Sequence, residues 1–159
     1  MPIPREQLRL TDQELAELLH ETPTMRAGTV SPDGTPHVVP LWFVWHRGAI
    51  WIHNLRKSRR TRDLAAGSSV ALCIDTGDDY VELRGAVLYG TPQEIAADDS
   101  DLPAVRKAFG EKYLGGAEVT DVKSHRWLRM DPERIVSWDF RKIPAGRDDR
   151  AEVSKRERS

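Results

Sequence analysis

Five of seven consecutive residues, Arg56, Lys57, Arg59, Arg60 and Arg62, carry positive charge, with Ser58 and Thr61 between them. Guanidinium and ammonium groups, a serine hydroxyl and the free N–H groups of a starting helix together make a cradle for phosphate. With Ser58 as N-cap, Arg59 and Arg60 occupy the first helical turn, where the helix dipole already presents positive charge. A local rule broken in this way calls for a compensating anion. The same residues also fit a solvated basic turn or a nucleic-acid patch. The nucleic-acid reading is opposed by the neutrality of the chain, with Lys+Arg 24 against Asp+Glu 25 and a net charge of -1, and by Asp63, Asp78 and Asp79 close by.

Other chemistry is sparse. His20, His37, His46, His53 and His125 show no metal-binding spacing, so no metal site is expected. His53 stands just before the basic segment, as a strand-end histidine or as a neighbour of a bound cofactor. Cys73, between Leu72 and Ile74, reads as a buried inert thiol. A single cysteine excludes an internal disulfide, and no Gly-x-Ser-x-Gly elbow supports serine catalysis. No apolar run approaches the ~20 residues that cross a bilayer, and the first residues lack the apolar segment of a signal peptide. A cytoplasmic protein with no membrane partner is expected.

The elements that position these residues are mostly strands. Thr11-Asp-Gln-Glu14 is a capping box, with Leu15, Leu18 and Leu19 at helical spacing behind it, so a helix is expected over 11–21. Met25–Ser31, a tight turn at Pro32-Asp33-Gly34, a long strand Pro36–Trp45 and a strand Ala49–Asn54 read as a meander. A short helix Ser58–Ala66 follows, then strands Val70–Asp75 and Tyr80–Gln93. A second helix is expected over Asp98–Tyr113, stopped by Gly115-Gly116, and two late strands over Ser124–Met130 and Arg134–Phe140. This is one domain over 1–144. Residues 145–159, with five basic and four acidic residues, form a charged tail unable to bury enough surface to order itself. About seven strands and few helices predict a mainly β fold, an antiparallel barrel or sandwich. Pro36–Trp45 is apolar on both faces, as a strand covered on both sides would be. The second cover is another subunit, a flat cofactor or the helix 98–113.

In this order, Thr29-Val-Ser-Pro-Asp-Gly-Thr-Pro-His37, Val-Val-Pro-Leu-Trp-Phe43, Ile50-Trp-Ile-His-Asn-Leu55, Lys57-Ser-Arg-Arg-Thr-Arg-Asp-Leu64 and Val70-Ala-Leu-Cys-Ile-Asp75 resemble the pyridoxamine 5'-phosphate oxidase-like split β-barrel superfamily. More narrowly, the chain resembles the actinobacterial flavin/deazaflavin oxidoreductases of the B group. The likeness runs from about Met25 to Phe140. It implies an antiparallel split β-barrel, and a homodimer that binds a flavin-like cofactor in grooves at the subunit interface. By position, Val39, Pro40, Leu41 and Trp42 would line the ring system, and Ile52 and His53 would lie beneath the ribityl chain. Lys57, Ser58, Arg59 and Arg60 would hold the phosphate. Tyr80 and Trp138 would approach the ring from the same or the partner chain.

The chain departs from the true pyridoxamine phosphate oxidases at Val39 and Val44, where they place an arginine and a lysine, and it lacks their C-terminal Arg-Leu-x-Pro motif. Pyridoxamine phosphate oxidation is therefore disfavoured. Haem-degrading relatives use a histidine near the C-terminus, and none follows His125. The resemblance implies an oxidoreductase using coenzyme F420 to reduce a flat conjugated acceptor, its cofactor supplying the hydride chemistry. Arg56 and Arg62 would suit the acidic tail of that deazaflavin. The alternatives are an FMN-dependent oxidoreductase of the same fold and a non-catalytic protein binding flavin or haem.

Overall fold

The computed structural model describes residues 3–120 and 122–144, so the predicted tail 145–159 lies outside the described residues. The first helix, α1 (Asp12–Glu21), begins as its sequence predicts. Thr11 Oγ1 accepts the Glu14 N–H at 3.2 Å, and the Glu14 carboxylate accepts the Thr11 N–H at 2.7 Å. Leu18 and Leu19 then face the core and are fully buried.

The strands that follow are β1 (Met25–Val30), β2 (Pro36–Leu41), β3 (Val44–His46) and β4 (Ala49–Leu55). After the short helix α2 (Arg59–Ala65) come β5 (Val70–Thr76), β6 (Arg84–Gly90) and β7 (Gln93–Glu94). Helix α3 (Leu102–Tyr113), β8 (His125–Met130) and β9 (Arg134–Asp139) complete the described residues. Every strand pair is antiparallel. One sheet runs β2-β1-β5-β6-β9 and the other β3-β4-β8-β7. This is the mainly β, split-barrel architecture that the sequence predicts.

The two sheets enclose one core. Met25, Leu72 and Leu88 of the first face Ile50, Leu128 and Met130 of the second, with Leu18 and Leu19 packed against them. A second core lies on the other side of the second sheet, where Val44, Trp51 and Trp127 meet Leu102, Val105 and Phe109 of α3. The second sheet is thus covered on both faces, which is why β4 reads as a nearly continuous apolar run.

The meander expected over Met25–Asn54 is corrected by the structure. The predicted strand Pro36–Trp45 breaks at Trp42-Phe43: β2 pairs with β1 in the first sheet, and β3 pairs with β4 in the second. The cause is a tertiary contact. The Tyr113 hydroxyl accepts the Phe43 N–H at 3.0 Å and lies 2.8 Å from the carbonyl oxygens of Phe43 and Pro23, to either of which it donates. Phe43 thereby satisfies its backbone outside any ladder. Alternation survives the break, because Leu41, Phe43 and Trp45 pack on the first core while Val44 enters the second.

The strand predicted over Tyr80–Gln93 is also shorter. Tyr80–Glu82 forms a 3-10 turn, and Pro92, which has no N–H to donate, separates β6 from β7 in the other sheet. Helix α3 starts at Leu102 rather than Asp98, with Pro103 in its first turn. Among the described residues, no helix is long and apolar enough to cross a membrane.

Candidate functional site

Where β2 ends, α3 and the second sheet frame a cleft of about 680 Å³, whose walls include Pro40, Leu41, Trp42, His53, Phe109 and His125. Its aromatic walls are ordered by one another. Trp42 stacks on Tyr113 with centroids 4.5 Å apart, and Phe109 tilts against both rings at 6.1 and 4.8 Å. On the strand side, His53 stacks between His125 at 4.6 Å and Trp127 at 4.8 Å. The β4–β8 register explains this ladder: His53 lies opposite Trp127, and Leu55 opposite His125, so all three rings project from one face. Trp42 remains 48% exposed despite its stack, an unusual state for the largest apolar side chain.

The same helix end anchors the rim. Burial raises the Tyr113 phenol to about 12, so it stays a neutral hydroxyl that can both donate and accept. Lys112 Nζ stands 4.1 Å from the centre of the Phe43 ring and donates to the Leu19 carbonyl at 3.0 Å. Burial lowers its ammonium to about 8.

At its end, β4 leads directly into the basic segment. Ser58 caps α2, its Oγ accepting the Thr61 N–H at 3.2 Å. Asp63 docks α2 onto β1: its carboxylate is 2% exposed and accepts the hydroxyls of Thr29 at 2.7 Å and Ser31 at 2.9 Å. The Thr29 bond, joined by that of Ser31 and by the charges of Arg59 and His37, holds this carboxyl below its ordinary value. Arg59 lies along the surface and donates to Ser31 Oγ at 3.1 and 3.2 Å. Arg60 turns inward and is only 7% exposed. Its Nε donates to Asn54 Oδ1 at 2.9 Å, and a second guanidinium N–H reaches the same oxygen. Burial alone depresses its pKa. A neutral amide oxygen is a weak partner for a buried guanidinium. The site therefore suits an added anion, beside the exposed ammonium-bearing Lys57.

The predicted site residues fall into five groups. Pro40, Leu41, Trp42 and His53 meet in the cleft. Val39 is the neighbour of Pro40 on β2, half-buried and paired with Ala27. Ile52 points into the first core and is fully enclosed there. Lys57, Ser58, Arg59 and Arg60 gather at the start of α2, one strand end away from His53. Tyr80 and Trp138 do not join them within this chain. Tyr80 packs on Phe140 at 5.0 Å, and Trp138 lies over Gly85, where a Cβ would run into its ring. Both belong to the β6–β9 side of the first sheet, the opposite edge from β2.

Sequence reasoning missed Phe109 and His125 as cleft residues, Tyr113 and Trp127 as the rings that stack behind Trp42 and His53, and Asn54, Thr29 and Ser31 around α2. An amphipathic α3 was legible, but not that its Tyr113 hydroxyl would divide a strand. Finding the His53–Trp127–His125 ladder requires the β4–β8 register, which no local pattern encodes. Among the described residues, no three His, Cys, Asp or Glu side chains gather as a metal-ion set.

Solved structures share this architecture. The chain is similar to the conserved hypothetical protein Rv2991 of Mycobacterium tuberculosis, with 26% identity, a TM-score of 0.77, and coverage of 89% of this chain and 92% of that one. It is also similar in fold to a protein described as an F420 reductase, at 20% identity and a TM-score of 0.61, over 79% of this chain and 98% of the other. The FAD binding protein from Mycobacterium smegmatis matches at 19% identity and a TM-score of 0.60, over 82% and 98% of the two chains. No curated protein matches the sequence. The family model described as pyridoxamine 5'-phosphate oxidase matches residues 11–139, a span that contains both sheets, the cleft and the basic helix start. On that match, the chain belongs to the pyridoxamine 5'-phosphate oxidase family.

Proposed function

We propose that this protein is an oxidoreductase that uses the deazaflavin coenzyme F420 and works as a homodimer. The observation that carries the cofactor reading is the continuity of β4: it sets His53 in an aromatic cleft and then delivers Lys57, Ser58 and the buried Arg60 at the next helix. A cleft of about 680 Å³ is of the size that holds a cofactor-sized ligand, largely apolar with a few polar groups. Arg60, with only the Asn54 amide as its hydrogen-bond partner among the described residues, gains a full charge partner from a phosphate.

Bound here, the deazaflavin would supply hydride from its C5 carbon to a flat conjugated acceptor. The chain's own residues do the holding. Lys57, Ser58 and Arg60 bind the phosphate, with Arg59 alongside. Pro40, Leu41 and Trp42 flank the ring system, and the ladder headed by His53 walls the ribityl side. Trp42 is kept in place by its Tyr113 stack, so the cleft is formed before any ligand arrives. The outward face of the first sheet supports the dimer. Val38 at 65% and Val136 at 45% exposure lie at its two sides, with Ala71, Cys73 and Val87 between them. A second copy of the chain on this face would bring Tyr80 and Trp138 of one subunit toward the cleft of the other.

The experiment is a parallel titration with F420 and with FMN, followed by fluorescence quenching. Tight F420 binding with weak FMN binding, and F420-dependent reduction of a quinone or enone acceptor, is the expected result. Tighter FMN binding would move the protein to the FMN reading. Binding without turnover would leave a carrier of the cofactor, and no binding of either would overturn the assignment.

A further inference from the structure

The cofactor reading leaves one part of the cleft without an occupant. Pro40, Leu41 and Trp42 flank the ring system and β4 leads to the phosphate, but the walls supplied by the connection from α3 to β8 have no assigned part. Two of them are apolar and open to water: Leu114 is 40% exposed and Val122 46%, and both line the cleft with Trp42. Leu114 directly follows Tyr113, the ring on which Trp42 stacks. Val122 sits beside His125, whose N–H donates to the Val122 carbonyl at 2.9 Å. Leu55, 49% exposed, lies opposite His125 in the β4–β8 register and projects from the same face of the sheet.

Nine large apolar side chains are exposed among the described residues, and three of them, Trp42 included, line this one cleft. Exposed apolar residues scattered singly need no explanation, whereas a group of them on one cleft marks a surface that a ligand covers. Their exposure is not a by-product of core packing. Leu114 and Val122 belong to neither core, and the connection is pinned instead by Val119, which enters the second core between them. On either side of Val119, Glu118 and Thr120 also line the cleft and are exposed. Aliphatic side chains such as Leu114 and Val122 carry no donor or acceptor, so they recognise a ligand by the apolar area that leaves water. An aliphatic arm on a ring-bound acceptor meets that requirement.

We propose that Leu114 and Val122 form the acceptor subsite of this cleft, and that the acceptor it takes is a flat conjugated molecule carrying an aliphatic arm. The role as acceptor rests on the cofactor reading, and the arm rests on the apolar rim alone.

The test is a binding experiment that needs no turnover. A series of 3-alkylcyclohex-2-enones, from methyl to hexyl, is titrated into the full chain with and without oxidised F420. Methyl resonances of Leu41 and Val119, which line the cleft and are kept in every variant, report the dissociation constants. Affinity should rise about twofold for each added methylene, half the free energy of full burial, because the rim covers one side of the arm. The hexyl compound should then bind roughly thirtyfold tighter than the methyl one. The double variant Leu114→Ser, Val122→Ser should bind the two within about threefold of each other. Both side chains are exposed, so folding is not at stake. Ile135→Ser, which changes an exposed apolar side chain on β9, should keep the full dependence. A dependence that survives undiminished in the double variant would report general lipophilicity and overturn the proposal. Equal affinity across the series would overturn it too, including the case in which a second copy covers the rim and the double variant weakens the dimer. Arm dependence without any F420 binding would overturn the cofactor reading and support the apolar subsite.

Discussion

Removing a single oxygen at Tyr113 tests the account of how the cleft is shaped. Tyr113→Phe keeps the ring, and so keeps its 4.5 Å stack on Trp42 and its contact with Phe109. It removes the acceptor of the Phe43 N–H and the donor to the Phe43 or Pro23 carbonyl. Two lost hydrogen bonds are worth about 1 kcal/mol each, and a buried N–H left unpaired adds a desolvation cost of about 1 kcal/mol or more. The expected loss is therefore about 3 kcal/mol, which lowers Tm by roughly 6–12 °C in a chain of this size. Tyr113→Leu should lose about a further 1 kcal/mol, because the aromatic stack goes as well. Urea unfolding of the three proteins measures both steps. Burial keeps the phenol protonated until about pH 12, so the Tyr113→Phe difference should be constant from pH 6 to 9. A stability within about 0.5 kcal/mol of the wild type would refute the view that this hydroxyl holds the break between β2 and β3.

Four other outcomes are expected. Arg60→Ala should weaken binding of the flavin-type cofactor by about 1.5–3 kcal/mol, measured by fluorescence titration on protein whose circular dichroism is unchanged; equal affinity would remove Arg60 from the phosphate site. Lys112 has a folded pKa of about 8 against an ordinary 10.5, so between these values the unfolded chain holds a proton that the native one has released. Stability attributable to Lys112 should therefore rise from pH 8 to about 10.5, by about 1–2 kcal/mol after allowance for partial exposure, and the wild-type-minus-Lys112→Met difference in urea stability should show it. Asp63 has the opposite sign: its depressed pKa stabilises the fold above the ordinary carboxylate range and loses that contribution as pH falls through the folded value. Acid unfolding of Asp63→Asn should accordingly have a shallower pH dependence than the wild type, and an identical acid limb would contradict the assignment. Gly110→Ala should cost about 1–3 kcal/mol in thermal unfolding, because its Cβ would overlap the Ala117 carbonyl oxygen where the chain folds back after α3; an unchanged Tm would show that this backbone gives way freely.

How much of this was legible in the sequence depended on the range of the interaction. The Thr11 capping box and the Ser58 cap are local devices, and both form as their spacing predicts. The hairpin turn at Pro32-Asp33-Gly34 is equally local, with Gly34 at φ +84. Pro36–Trp45 shows where locality fails. Its apolar residues on both faces were visible, but they serve two different sheets in turn, and the switch is imposed by Tyr113, some seventy positions downstream. The basic segment was equally visible as a cluster. That Arg60 would bury itself on Asn54 while Arg59 stayed on the surface depends on how α2 is tied down by Asp63 to Thr29 and Ser31.

The β4–β8 register has a consequence for the order of assembly. The first hairpin joins neighbours in the chain, Val30 to Pro36, and can close early, whereas the second sheet needs Ile50 to find Met130 across half of the chain. Loop-closure entropy makes such distant pairings slow. The wall that carries His53 and Trp127 is therefore completed only when β8 arrives. A chain still emerging from the ribosome has its basic helix start before it has a cleft, so any cofactor must wait for the last strands, and ligand capture reports the end of folding rather than guiding its beginning.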